Sequence, residues 1–538
     1  MFLILSILWF IGTSKYILFW LYLWQLKEYH FGRFWAHFKT DKGKRLIFSP
    51  LQSLKILLAL LFLLNSVVFV WILIALYFVE AFLFFRAIVN KKFKKPKITK
   101  KILFLLFLSF LVTGFFPIKL FVFSQEIVQF SLFLLIFDIL TPFIITAIVF
   151  IFQPLSVAIR NNIIKKAKNK LKNLKSIYGG PIVVGITGSY GKTSTKEFLS
   201  TILSYKFKVL KTEKHQNSEI GISKCILNNL DKNHEIFVVE MGSYKKGGIK
   251  LLSDIVQPKI GIVTGVNEQH LALFGSLDNL LSAEGGGELA DTLPKDGVLV
   301  LNGDNKYCLS LYKKTDINKK VYNLEKNGID SDMWADEITI KTDSLSFVAL
   351  TKEQEIAPFN INILGKQNIQ NILAAVLVAR QLGMSFDEII KATKNIRQEQ
   401  SGFLLKEGKH GISIIDSSYS SNPDGVIADL EYLNIFPKKK VIIMPCLIEL
   451  GIKSEEIHKK IGRKIGQVCD LAIITTKENF REIKMGAIES GMKEKNIVFC
   501  ESPQEILTRI SIFCAKGDAV LLEGRVPENL DNFLINNN

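Results

Sequence analysis

Hydrophobic positions run almost without a break from Phe2 to about Gln153, and from about Pro181 onward they come as short apolar runs separated by polar, helix-like stretches. The first pattern is that of membrane-spanning helices. The second is that of a parallel α/β sheet, whose strands are buried on both faces and therefore read as continuous apolar runs. Phe2 to Trp24, Leu57 to Phe85, Ile102 to Phe123 and Ile127 to Phe152 each reach the roughly 20 residues a helix needs to cross a hydrocarbon core. Four spans are predicted, and a fifth if Leu57 to Phe85 crosses twice, with Asn65 and Ser66 as the place for a break. The first segment has no basic n-region and more spans follow it, so it is expected to stay attached rather than be removed as a signal peptide.

In the second part, Pro181 to Leu199 (PIVVGITGSYGKTSTKEFL) reads as strand, glycine-rich turn and helix. Glu235 to Glu240, Lys259 to Gly265 and Gly297 to Asp304 read as further buried strands. Strands alternating with helices predict a parallel sheet, whose ligands sit beyond the carboxyl ends of the strands. Glu240 and the loop from Asn267 to His270 fall there.

The turn carries chemistry. Gly188 and Gly191 let backbone N–H groups close around phosphate oxygens, with Ser189 between them; Lys192 can reach the terminal phosphates, and Thr193 or Ser194 can hold Mg²⁺. ATP is the expected ligand. The spacing departs from G-x-x-x-x-G-K, because Ile186 stands at the first glycine and Gly185 lies one residue too early, so a variant loop is predicted. A turn that merely joined strand to helix would not need Lys-Thr-Ser at the helix start.

Charge divides with hydropathy. Residues 1–179 hold 24 Lys and Arg against 5 Asp and Glu, so the formal net charge of +18 belongs to the apolar part. Arg86 to Lys101 carries eight basic residues and Arg160 to Lys175 seven, neither with an acid, which places both on the cytoplasmic side. Lys27 to Lys55 is basic too, and an interfacial helix, KEYHFGRFWAHF, would reconcile it with a single crossing; the parity stays open. Beside apolar spans these runs mean topology and attraction to membrane lipid rather than nucleic-acid binding. Six scattered cysteines without metal spacing fit a reducing cytosol.

GITGSYGKTSTKEFL, VVEMGS, VNEQHLALFGS, LPKDGVLVLNGDN, LGKQNIQNILAA and IIDSSYSSNPDG occur in the order seen in Mur ligases, and residues 180–538 resemble that family, most of all its members that add D-alanyl-D-alanine to a muramoyl peptide. The resemblance implies an α/β fold with a central P-loop ATPase domain and a C-terminal Rossmann-like domain, here preceded by a bundle of transmembrane helices. The expected division is a transmembrane module at 1–155, a basic juxtamembrane linker at 156–180, the ATP-binding domain at 181–396 and the C-terminal domain at 397–538. Carried over residue by residue, it implies Lys192 at the β/γ-phosphates, Thr193, Glu240 and His270 around Mg²⁺, Asn368 and Asn371 near adenine, and Asp416 near the ribose. Asn217, Tyr419 and Asn422 would face the substrate. Glu449, Glu523 and Arg525 read as strand ends facing the cleft. The implied reaction turns a peptide carboxylate into an acyl phosphate with ATP and joins it to an amino acid or dipeptide amine, making a peptidoglycan precursor peptide at the inner membrane, with the catalytic domains in the cytoplasm.

Three residues depart from the family pattern. A lysine expected just before Glu-Leu in SAEGGGELADTL is replaced by Gly286 or Gly287, with Glu284 as the candidate substitute for its carbamate. An arginine expected before the strand leading to Asp416 is replaced by Gly402 or Phe403, and Gln367 stands for a histidine. The 28 residues from Gln153 to Gly180 are too few for the domain that usually grips the uridine-diphosphate sugar. Two rivals share the ATP side: a ligase acting on another lipid-linked or folate-like carboxylate, and a catalytically weak nucleotide-binding scaffold.

Overall fold

The computed structural model describes residues 1–27, 29, 31–38, 43, 46, 49–61, 66–90, 93–123, 126–213, 216–326, 330–418, 421–527, 530 and 534. Two units emerge, Met1–Arg160 and Asn161–Asn538.

The first unit is helical because its chain offers apolar residues on every face, so backbone groups must be satisfied within each segment. Among the described residues, four helices are long and apolar enough to cross a bilayer by length and composition: Phe2–Leu26, Val68–Val89, Lys100–Val122 and the helix beginning at Ile127. The run from Leu57 to Phe85 is divided between a shorter helix, Pro50–Leu61, and a long one that starts at Ser66. Asn65, half of the expected break, lies outside the described residues. Phe31–Phe38, within the expected interfacial segment, is helical, and Phe34 stacks on Trp24 at 3.8 Å.

Three buried charged groups inside this unit are paired with one another, as an apolar surrounding demands. The Lys55 ammonium lies 2.7 Å from Glu80 Oε1 and 2.5 Å from Asp138 Oδ2, all three side chains at most 2% exposed. The Tyr16 hydroxyl donates to Glu80 Oε1 at 3.2 Å.

The second unit holds two sheets. The first has nine strands in the order β2-β3-β1-β4-β5-β6-β7-β8-β9, where β1 is Ile182–Thr187, β2 Val209–Lys211, β3 Ile236–Glu240, β4 Ile260–Val263, β5 Val298–Asn302, β6 Asn318–Asn323, β7 Met333–Ile340, β8 Leu345–Thr351 and β9 Ile356–Ile361. Strands β1 to β7 pair in parallel and β7, β8 and β9 antiparallel. The last three show why hydropathy differs between them and the rest: β9 alternates exposed and buried residues, whereas β3, β4 and β5 are buried throughout. Helices Lys192–Leu203 and Gln367–Gln381 cover one face. Glu219–Asn229, Gly248–Val256 and Gly287–Thr292 cover the other, joined by Ile164, Ala167 and Leu171. Those three residues belong to Gln153–Tyr178, so the basic stretch expected to link the two parts is helical and packs its apolar stripe on the sheet.

The second sheet has the order β10-β11-β15-β12-β13-β14, with β10 Leu404–Glu407, β11 Ser413–Ser417, β12 Lys440–Met444, β13 Leu471–Ile474, β14 Ile497–Phe499 and β15 Ala519–Glu523. All neighbours pair in parallel except β10 with β11.

Candidate functional site

In the first sheet, β2 and β3 lie on one side of β1 and β4 to β6 on the other, so the chain changes direction around the carboxyl end of β1. Such a switch point opens a crevice between neighbouring loops. Register fixes what meets there: Ile186 lies opposite Glu240 on β3, and Thr187 opposite Val263 on β4. The glycine-rich turn therefore emerges between the acid that ends β3 and the loop that follows β4.

The helix Lys192–Leu203 begins behind Gly191, whose φ of +74° is left-handed. A Cβ there would stand 2.5 Å from Asn371 Oδ1, so the close approach of Asn371 and the backbone conformation both require glycine. Lys192 curls back, its ammonium donating to the carbonyls of Gly188 and Ser189. The Ser194 hydroxyl donates to Ser401 O at 3.0 Å.

Glu240 is 7% exposed and held from three sides. Thr193 Oγ1 donates to its Oε2 at 3.0 Å, and Asn217 Nδ2 donates to its Oε1 at 3.1 Å. Lys196, one helical turn beyond Lys192, puts its ammonium 3.5 Å from the same Oε2.

His270 meets Glu284: its Nδ1 lies 3.0 Å from Oε1 and 3.1 Å from Oε2 of that carboxylate. Ser189 Oγ also donates to Glu284 Oε2, at 3.0 Å. Burial opposes ionisation of Glu284, but the Lys192 ammonium, together with the hydrogen bonds from His270 and Ser189, outweighs it and holds the carboxyl below its ordinary value. Glu284, expected as the substitute for the missing lysine carbamate, thus stands directly against the glycine-rich turn. Gly286 admits no lysine in this backbone: its φ is +85°, and a Cβ would lie 2.4 Å from Val263 Cγ2.

A cavity of about 710 Å³ opens beside the loop, lined by Ser189 to Ser194, Asn368, Asn371, Gln367 and Asn422 among others. Asn368 and Asn371, both buried, are bonded to each other, and Asn371 Oδ1 accepts from Thr195. Lys192 and Lys211 are the basic residues among those lining it. Where an arginine was expected, Gly402 and Phe403 line the wall, with the Phe403 ring edge-on to Tyr432.

The C-terminal sheet contributes the opposite wall. Asn267 Nδ2 donates to Asn422 Oδ1 and to Asp424 Oδ2, each at 3.0 Å, and Gln269 Nε2 donates to Ser421 O at 2.7 Å. Gln367 Nε2 donates to Asp429 Oδ1 at 3.0 Å. Asp416 is engaged by Lys406 and Ser418 rather than lining the cavity. Glu449 places Oε2 4.0 Å from His270 Nε2, while Glu523, read as facing the cleft, is 1% exposed and lies against Asp429. Tyr419 lies outside the described residues.

Thr193 and Glu240 present a hydroxyl and a carboxylate to one point, which fits a hard cation that takes oxygen ligands and keeps several waters. Among the described residues no three His, Cys, Asp or Glu side chains form a closed metal cage. The sequence marks Asn267 and Gln269 only as part of the loop before His270, and it gives no signal for Lys196 or Asp429.

Residues 186–379 match the Mur ligase middle domain, and residues 403–526 match the Mur ligase glutamate ligase domain. The chain is 28% identical over 346 residues to a UDP-N-acetylmuramoyl-tripeptide–D-alanyl-D-alanine ligase of Bacillus subtilis, covering 64% of this chain and 73% of the relative. Against the ligase of the same name from Escherichia coli it is 28% identical over 280 residues, covering 52% of this chain and 61% of the relative. Among solved structures, the MurF ligase from Thermotoga maritima in complex with ADP superposes with a TM-score of 0.59 at 25% identity, over 70% of this chain and 84% of that one. MurF from Acinetobacter baumannii shares the fold, with a TM-score of 0.61 over 68% of this chain and 78% of that one.

Proposed function

The chain belongs to the Mur ligase family, and we propose that it is an ATP-dependent amide ligase of peptidoglycan precursor assembly, which activates a peptide carboxylate as an acyl phosphate and joins it to an amine such as D-alanyl-D-alanine. One observation carries the reading: the phosphate loop, with Lys192 and Thr193 at its end, opens into a cavity of about 710 Å³ walled by both domains, next to Glu240.

In this reading the backbone from Gly188 to Ser194 holds the β- and γ-phosphates and Lys192 turns from its loop carbonyls toward them. Thr193 and Glu240 hold Mg²⁺, and His270 with Glu284 closes the site beside Ser189. Mg²⁺ supplies charge neutralisation for the phosphoryl group in transfer. Asn368 and Asn371 line the adenine end. Asn217 and Asn422 face the peptide. The contacts of Asn267 and Gln269 with the C-terminal domain keep water from the acyl phosphate, whose hydrolysis competes with amide formation.

The apolar helices are read as spans of the inner membrane, with the domains in the cytoplasm beside the basic segments Arg86 to Lys101 and Arg160 to Lys175. With no room for a soluble sugar-binding domain ahead of β1, the membrane module holds the acceptor as a lipid-linked precursor. Turnover by the full chain in detergent, compared on lipid-linked and nucleotide-linked acceptors with D-alanyl-D-alanine, glutamate or ammonia as amine, tests both parts. Preference for the lipid-linked acceptor with the dipeptide supports the reading, and equal use of both acceptors removes the role given to the membrane module.

A further inference from the structure

Lys196 is the largest charged side chain buried in the second unit, at 0% exposure. A buried ammonium is costly unless carboxylates surround it. Here it lies 3.2 Å from Glu197 Oε1 and 3.5 Å from Glu240 Oε2. Glu197 in turn binds Lys211 at the cavity wall. The result is a file of alternating charges, Lys211, Glu197, Lys196 and Glu240, running from the wall of the cavity to the carboxylate that faces Thr193.

That file has no net charge. Each carboxylate already has its ammonium, so Glu240 offers a geometrically formed ligand without surplus negative charge to draw in a free divalent cation. A 2+ ion placed at Thr193 and Glu240 also stands close to the Lys196 ammonium, in surroundings that screen poorly. The phosphates of a nucleotide would supply the missing negative charge.

Resting on the assignment of Glu240 as a cation ligand, we propose that Lys196 is a positioning residue that makes the divalent cation enter with the nucleotide rather than before it. Lys196 holds the Glu240 carboxylate turned toward Thr193 while suppressing its affinity for the bare ion. Premature occupation of the site by a cation without phosphate is thereby avoided.

The test uses Mn²⁺ as the probe, read by electron paramagnetic resonance on the full chain in detergent, with and without ADP. Wild type is expected to bind Mn²⁺ weakly alone and much more tightly with ADP. Lys196→Met is expected to bind Mn²⁺ alone roughly tenfold more tightly or better, and Lys196→Arg to behave as wild type. Unchanged Mn²⁺ affinity in Lys196→Met overturns the proposal, as does a wild type that binds Mn²⁺ equally well with and without ADP. If Lys196→Met does not fold, Lys196→Gln is judged by the same criterion, and the wild-type comparison stands by itself. A Glu240→Gln chain that keeps full Mn²⁺ affinity in the presence of ADP would instead refute the assignment of Glu240, a separate failure.

Discussion

The hydroxyl of Thr193 donates to the carboxylate of Glu240 at 3.0 Å, joining the end of the phosphate loop to the end of the neighbouring strand. Because Glu240 is also held by Asn217, loss of the hydroxyl leaves the carboxylate in place and removes one oxygen from the proposed cation site. Thr193→Ala is predicted to lower turnover by about 100-fold, as loss of a preorganised catalytic group does, while stability changes by no more than about 1.5 kcal/mol. Phosphate release as a function of Mg²⁺ concentration, set beside thermal melting, checks both halves.

Gly286 and Glu284 separate two ways of repairing the missing lysine. Gly286→Lys is predicted to destabilise the chain by about 2 kcal/mol or more, since the added side chain meets Val263 in a left-handed backbone. Glu284→Gln is predicted to leave the fold intact and to cut turnover by about 100-fold. A Gly286→Lys chain that melts like wild type and turns over faster would show that the backbone tolerates what its geometry forbids.

The Asp429 and Glu523 carboxyls meet inside the second sheet, where Ser417 and Gln367 donate to Asp429. Burial pushes Asp429 up to about 6, and burial together with Asp429 pushes Glu523 well above the usual carboxylate range. Folded values above unfolded ones mean that the stabilising contribution is complete below about pH 4 and is lost as pH rises through the folded values. Asp429→Asn escapes that loss. Its stability relative to wild type is predicted to rise between pH 4 and pH 7.5 by about 2–3 kcal/mol, and a difference independent of pH would contradict the raised Asp429 value.

Lys55 is the cation between Glu80 and Asp138 within the helical unit. Lys55→Met leaves two buried carboxylates facing each other and is predicted to cost about 3–5 kcal/mol, whereas Asp138→Asn, which removes one negative charge, costs less. Unfolding from mild detergent by rising SDS fraction ranks the two variants.

How much was legible in the sequence follows from how local each feature is. Strand, glycine turn and helix from Pro181 to Leu199 are contiguous because phosphate binding uses consecutive N–H groups, and the buried strands β3, β4 and β5 announce themselves as unbroken apolar runs. The hairpins β7 to β9 do not, because buried positions are interrupted by partly or fully exposed ones along each strand. Lys196 reads in sequence as one more surface lysine on a helix; only the packing of Gln367–Gln381 and β3 against that helix buries it. The Asp429–Glu523 pair and the contact from Asn267 to Asn422 depend on distant segments meeting, which residue spacing does not encode.

Amine-dependent phosphate release by the purified full chain, with ATP, Mg²⁺ and a peptide acceptor, tests the central claim most directly. The account predicts release that requires both acceptor and amine and that vanishes in Lys192→Ala. Release independent of the amine, or release that survives in Lys192→Ala, would contradict it.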